Sequence, residues 1–309
     1  MPGEAASGPA FLGVGRSVTG KVWQPRPADE RLILALAQKL ELPDLVARVL
    51  AARNVDLDQA ESFLNPTLRE MLPDPAHLLD MAPAVDRIVR AINDGETIGV
   101  LGDYDVDGAT SSALLVKFFS AIGRKVPVYI PDRQKEGYGP NLPGLLKLRE
   151  QGATVVITVD CGTTAYEPLE AAVAEGIDII VVDHHVAEAR LPDGCLVVNP
   201  NRMDESSPCE QLAAVGVTFL LLVALNRALR DAYWYGEGHG EPDLLHWLDL
   251  VALGTICDVV PLVGVNRALV TQGLRVMAGR GNCGIAALAD VAGVDRPLDS
   301  YHAGFILGP

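Results

Sequence analysis

Acids and imidazoles recur where short apolar runs end: Asp103-Tyr104-Asp105-Val106-Asp107-Gly108 follows 97–102, Asp160 follows 154–159, and Asp183-His184-His185 follows 178–182. A fourth acid, Asp258, comes after Gly254-Thr255-Ile256-Cys257. Carboxylates and imidazoles together offer mixed oxygen and nitrogen donors, a set suited to a pair of divalent ions and to metal-dependent hydrolysis. The Asp-x-Asp spacing matters because a tight loop, permitted by Gly108, can turn both carboxylates into one space, one to each ion. Repulsion between them would raise a pKa unless a cation were present, so the ions would neutralise the site they occupy. Histidine among the donors shifts the preference from magnesium towards manganese.

Each piece also has a purely structural reading. Asp-x-Asp-Gly is a common solvated turn, and adjacent histidines are often one buried and one exposed ring. Asp160 could cap a helix opening at Gly162-Thr163-Thr164, and Asp258 could be a loop acid beside Pro261. The argument for one site is their shared placement, because open α/β sheets bind ligands beyond the carboxyl ends of their strands.

The elements that must position these residues can be read from the pattern. Runs at 97–102, 125–130, 154–159, 178–182 and 195–198 read as strands separated by stretches long enough for crossover helices. That alternation predicts an α/β fold: a mostly parallel five-stranded sheet with helices on both faces. Val85, Ile88, Val89 and Ile92 fall on one face of a helix that Asn93-Asp94-Gly95 stops. Residues 211–230 and 243–257 are helical in pattern, the first apolar nearly all round, with a glycine-rich turn at 236–240 between them. Residues 1–28 read as a flexible arm and 29–80 as a small helical region, where Pro43 and Asp44 start a helix whose apolar side is Leu45, Val46, Val49 and Leu50. The catalytic α/β domain then runs from 81 to 309.

The 309 residues can bury a large core, and 49% of them are hydrophobic, so the chain is globular. Its most apolar stretch, 212–225, is shorter than the roughly 20 residues a membrane span requires. The N-terminal residues lack a secretory pattern, which predicts a cytoplasmic location. Five cysteines without CxxC spacing argue against a disulfide framework or a zinc ribbon and predict reduced, mostly buried thiols. The net charge of −15 disfavours tight unaided DNA binding, which relies on excess Lys and Arg. Bound divalent ions would reverse the sign locally, so phosphate chemistry stays open.

The chain resembles the DHH phosphoesterase superfamily and, within it, the bacterial RecJ single-stranded-DNA exonucleases. The resemblance rests on Asp183-His184-His185, Phe63-Leu64-Asn65-Pro66, Gly102-Asp103-Tyr104-Asp105-Val106-Asp107-Gly108, Glu136-Gly137-Tyr138-Gly139, Thr158-Val159-Asp160-Cys161-Gly162 and Leu253-Gly254-Thr255-Ile256-Cys257-Asp258-Val259-Val260-Pro261-Leu262. Asn266-Arg267 and Gly273-Leu274 follow the same pattern.

The resemblance implies that Asp105, Asp107, Asp160, His184 and Asp258 hold two Mn²⁺ or Mg²⁺ ions, with Asp160 bridging them. His185 would face the scissile phosphate as a donor, Asp103 would ligate or orient, and Asp183 would support the histidines from behind. Arg133 and Lys135 are candidate phosphate holders. The implied activity is metal-dependent removal of 5′-mononucleotides from single-stranded DNA, 5′ to 3′, in recombination and repair, with a single-strand-binding protein or helicase as partner. Family members continue past the position of Pro309 into a domain with a glycine-rich His motif and then an oligonucleotide-binding fold, so a truncated form is expected. The alternatives are another DHH phosphoesterase acting on short oligonucleotides or cyclic dinucleotides, and an inactive fragment serving as a binding module.

Overall fold

The computed structural model describes residues 10–24, 28–236 and 240–309, in two compact units that divide between Pro66 and Thr67. In the smaller, helices α1 (Glu30–Lys39), α2 (Asp44–Ala51) and α3 (Ala60–Leu64) close around Ile33, Leu36, Ala47, Leu50, Val55 and Ala60. Helix α2 forms where expected, with Pro43 at its N-cap, but its buried face is Ala47, Leu50 and Ala51. Leu45 and Val49 are exposed, because the stripe that meets α1 is set by the small alanines rather than by the largest side chains.

The expected arm at 1–28 falls partly outside the described residues. Residues 10–24 are not irregular: a 3₁₀ turn at Phe11–Gly13 is followed by cross-chain bonds from Phe11 N to Trp23 O (2.8 Å), Trp23 N to Val14 O (3.1 Å) and Ser17 N to Lys21 O (2.8 Å). The glycine-rich turn at 236–240 also lies largely outside the described residues.

The larger unit opens with α4 (Leu68–Met71) and α5 (Met81–Asp94), followed by β1 (Thr97–Gly102), α6 (Val106–Ala121), β2 (Val128–Tyr129), α7 (Leu142–Glu150), β3 (Ala153–Val159), α8 (Tyr166–Ala174), β4 (Asp178–Val182) and β5 (Leu196–Val198). It is completed by α9 (Ala214–Asp231), α10 (Leu248–Cys257), α11 (Gly264–Ala278), α12 (Cys283–Val291) and a short helical end, Ser300–His302 running into a π turn at Ala303–Leu307. The division falls before the expected one near 80 because 67–80 is tied into this unit. His77 Nε2 lies 2.7 Å from Ser207 Oγ, Arg227 donates to Asp74 (2.9 Å), and Arg202 and Val197 N both donate to Asp80 Oδ2 (2.7 and 3.0 Å).

The five strands are all parallel, in the order β2-β1-β3-β4-β5. Their runs are apolar on both sides because both faces are covered. Ile98 and Val100, Val155 and Ile157, and Ile180 and Val182 join the core shared with α5, α6 and α9. Their neighbours Leu101, Val156, Val181 and Val197 join the core shared with α7 and α8. The expected fold class is the observed one, although β2 is shorter than the 125–130 run. Helix α5 ends where Gly95 takes a left-handed φ of 72°. The thiols are free, but only Cys161 and Cys209 are buried; Cys195 and Cys257 are half-buried and Cys283 is exposed. No helix of the described residues is long and apolar enough to cross a membrane.

Candidate metal centre

Register places the site. Gly102 pairs with Val159, Val159 with Val182, and Val182 with Val198, so the next residues, Asp103, Asp160, Asp183 and Asn199, leave the sheet at one level. The ladder is completed by Asp103 N to Val159 O (3.2 Å), Asp160 N to Val182 O (3.0 Å) and Asp183 N to Val198 O (3.2 Å). Chain order reverses between β1 and β3, the switch point at which sheets of this order open a ligand crevice. Asp103 and Asp160 flank it.

The loop after β1 combines the capping and the converging readings of its acids. Asp105 caps α6 by accepting from Gly108 N (3.0 Å). A Cβ on Gly108 would lie 2.5–2.8 Å from the backbone of Asp103, so only glycine lets the loop close. Asp107, buried in the first turn of α6, accepts from Ala214 N (2.7 Å) and Val215 N (2.8 Å) at the N-terminus of α9, whose dipole favours a carboxylate. Gly254 brings α10 close: a Cβ there would sit 2.9 Å from Val215 Cγ1 and 3.2 Å from Asp107 Oδ1. Asp258 ends that helix. Asp160 does not cap α8, which starts at Tyr166; its left-handed φ of 61° turns it out of the sheet edge instead.

These residues converge. His184 Nε2 lies 3.4 Å from Asp160 Oδ1, 3.6 Å from Asp258 Oδ2 and 3.9 Å from Asp107 Oδ2. Among the described residues three sets have donor atoms within 4.8 Å of one another: Asp107, His184 and Asp258; Asp103, Asp105 and Asp160; and Asp160, His184 and His185. Asp103 Oδ1, Asp160 Oδ1, Asp258 Oδ2 and His184 Nε2 are buried without a hydrogen-bond partner. Unpaired buried polar atoms are costly and uncommon, and a cluster of them calls for a ligand. Burial pushes the carboxyls of Asp160, Asp107, Asp103 and Asp258 above the usual range, and for Asp160 the charges of Asp107 and Asp105 add to it. The residues therefore fit divalent cations, which would remove both penalties. Asp103 stands with the other candidate ligands.

Asp183 is oriented differently. Burial opposes its charge, but hydrogen bonds from His185 and Thr163 outweigh that and hold its carboxyl at about 2. Its Oδ1 accepts from His184 N (2.8 Å), His185 N (3.2 Å) and His185 Nδ1 (2.7 Å), and its Oδ2 from Thr163 N (3.1 Å). The same hydrogen bond pushes His185 up from its ordinary value, keeping the half-exposed ring protonated. With Nδ1 committed to Asp183, His185 is suited to donate from its other nitrogen.

Sequence reasoning missed the residues that fix the histidine backbone. Asn199 donates to His185 O (2.8 Å) and to Thr163 Oγ1 (2.8 Å), and Asn201 donates to His184 O (2.5 Å). Their placement in Asn199-Pro200-Asn201, just after β5, was the available signal. Tyr138, quoted only as part of a motif, donates to Asp160 O (3.2 Å) and packs edge-on against Tyr104 and His185. Arg133 reaches the rim, with its guanidinium over the Tyr104 ring at 5.2 Å. Lys135 does not join the site: it is exposed and pairs with Asp132 (3.1 Å).

Comparison with known proteins gives the family. Residues 97–255 match the family model described as DHH family, N-terminal domain. The single-stranded-DNA-specific exonucleases RecJ of Dickeya dadantii and Escherichia coli K12 are each 40% identical, over 87% of this chain and 46% and 47% of theirs. The Bacillus subtilis RecJ is 35% identical over 93% of this chain and 35% of its own. The chain thus spans about half the length, or less, of these relatives. Among solved structures, RecJ from Thermus thermophilus in complex with Mn²⁺ aligns with a TM-score of 0.73 at 30% identity, covering 93% of this chain and 39% of that one. An exonuclease RecJ bound to manganese aligns at 0.64 and 35% identity, covering 75% and 56%.

Proposed function

The chain belongs to the DHH family, and from that premise we propose that its site hydrolyses the phosphodiester bonds of single-stranded DNA, releasing 5′-mononucleotides in the 5′ to 3′ direction. The observation that carries this reading is the cluster of four buried, unpartnered donor atoms at the switch point of the sheet, on Asp103, Asp160, Asp258 and His184. Asp105, Asp107, Asp160, His184 and Asp258, with Asp103, would hold two Mn²⁺ or Mg²⁺ ions, Asp160 between them. The relatives solved with manganese and with magnesium support that choice. When bound, such ions lower the pKa of water and offset the charge that builds on the phosphate oxygens.

The chain's own residues do the rest. Asp183 accepts from His185 Nδ1 and its charge favours the protonated ring, which leaves the other ring nitrogen to donate to a phosphate oxygen. Asn199 and Asn201 fix the backbone that carries both histidines. Tyr138 holds the Asp160 carbonyl, and Arg133 offers a cation at the rim for a neighbouring phosphate. Roles in DNA repair and recombination, a cytoplasmic location, and a single-strand-binding protein or helicase as partner extend the same reading.

The test is release of labelled nucleotides from a 5′-labelled single strand. Activity that requires Mn²⁺, stops with chelator and is lost in Asp160→Ala supports the proposal; equal activity in chelator defeats it. Faster hydrolysis of a dinucleotide than of a long strand would favour a short-oligonucleotide phosphodiesterase instead.

A further inference from the structure

Val259 is the residue beside Asp258 that its surroundings do not account for. Among the described non-glycine residues with positive φ, Glu41, Asn54, Asp80, Asp160, Tyr233, Val259 and Arg280, it alone is β-branched. Its φ is 61°. A left-handed residue there has a structural cause: it follows α10, and Val259 N closes the helix end on Ile256 O at 3.2 Å. Helix ends of this kind take glycine or asparagine, because a β-branched side chain clashes with its own backbone at positive φ.

Packing within this chain does not compensate. Val259 is 85% exposed, whereas its neighbours Ile256, Cys257 and Val260 lie against the core. Glycine would relieve the backbone and a polar residue would suit the solvent. A strained, exposed, apolar side chain next in the chain to a candidate ligand points to a backbone penalty kept for function. Adjacent Cα atoms are about 3.8 Å apart, so this side chain stands one residue from a carboxylate whose Oδ2 lies 3.6 Å from His184 Nε2. A phosphate held there carries its sugar at a similar distance.

We propose that Val259 is a substrate-contacting residue whose exposed side chain lies against the sugar of the nucleotide whose phosphate the Asp–His cluster holds. The inference rests on the phosphodiesterase reading above, and it places an apolar rest beside the charged centre, where the substrate's carbon skeleton must be steered.

The test uses the whole chain with ¹³C-methyl-labelled valine, the Val259 signals being assigned by their loss in Val259→Ala. Adding dTMP with Mg²⁺ should shift the Val259 methyl signals. Unmoved Val259 methyls, whether other signals move or none do, overturn the proposal. Turnover is not needed for this readout, so a wild-type chain without Mn²⁺-dependent nucleotide release counts against the proposed function and leaves this test decisive. In an active chain, Val259→Gly should raise KM for a single strand about tenfold, with Mn²⁺ affinity unchanged and Tm not lowered. A wild-type KM, or a Tm lowered by several degrees, would assign the side chain a packing role and contradict the inference.

Discussion

The two edges of the sheet treat charge in opposite ways. At the amino edge, Arg87 meets Glu96 through two parallel bonds (3.0 and 2.7 Å) and Asp178 through a third (2.5 Å), while Thr154 donates to Glu96. Arg87, Glu96 and Asp178 thus all have partners within the fold. At the carboxyl edge, four donor atoms of Asp103, Asp160, Asp258 and His184 are buried without one. The same parallel sheet supports both edges, so the difference lies in what each set of side chains leaves for a ligand to complete. The amino edge serves stability, and the carboxyl edge costs stability until a cation arrives.

The largest way to break this contrast is to remove its centre. Asp160→Ala should abolish Mn²⁺-dependent nucleotide release and weaken Mn²⁺ binding by at least a hundredfold, read by a nuclease assay and by calorimetry. Next, metal should stabilise the wild-type chain. At a hundredfold excess over Kd the gain is about 2.7 kcal/mol, which corresponds to roughly 5–10 °C in Tm for a unit of this size. Asp160→Ala should lose that shift. His185→Ala should lower kcat by about a hundredfold with a smaller change in Mn²⁺ affinity, because its ring is a donor held by Asp183 rather than a required ligand.

The smaller effects concern pH and the amino edge. Raised carboxyl pKa values at Asp160, Asp107, Asp103 and Asp258 mean that the folded state binds extra protons. Metal-free stability should therefore fall as pH rises from about 4, the ordinary carboxyl value, through those raised values, and Mn²⁺ should suppress the trend. Glu96 runs the other way. Its hydrogen bond from Arg87 lowers its pKa, so its contribution is present above the ordinary value and is lost as pH falls through the lowered one. Glu96→Gln should cost about 1 kcal/mol in denaturant unfolding and leave Mn²⁺ binding unchanged.

Much of this was legible in the residues themselves. The alternation of apolar runs marked the sheet, and the acids at the strand ends marked its functional edge. The sequence could not show that Asp107 is received by the N-terminus of α9, because that contact joins residues more than a hundred positions apart. Asn199 and Asn201 stand just after a strand, as the acids do, but amides in a loop carry no periodic signal that would assign them to the histidine backbone. Lys135 resembled Arg133 in type and position, but only Arg133 has an aromatic ring to lie on. The apolar face of α2 holds in part: Leu50 is buried and Val46 packs against the core, but Leu45 and Val49 face out because close helix contact favours Ala47 and Ala51.

The central claim is that the carboxyl edge is completed by divalent cations. Calorimetric titration of Mn²⁺ into the metal-free chain tests it directly. Two bound ions per chain in the wild type, with the loss of binding in Asp160→Ala, is the predicted result. An absence of binding in the wild type, or equal binding in the variant, would contradict it.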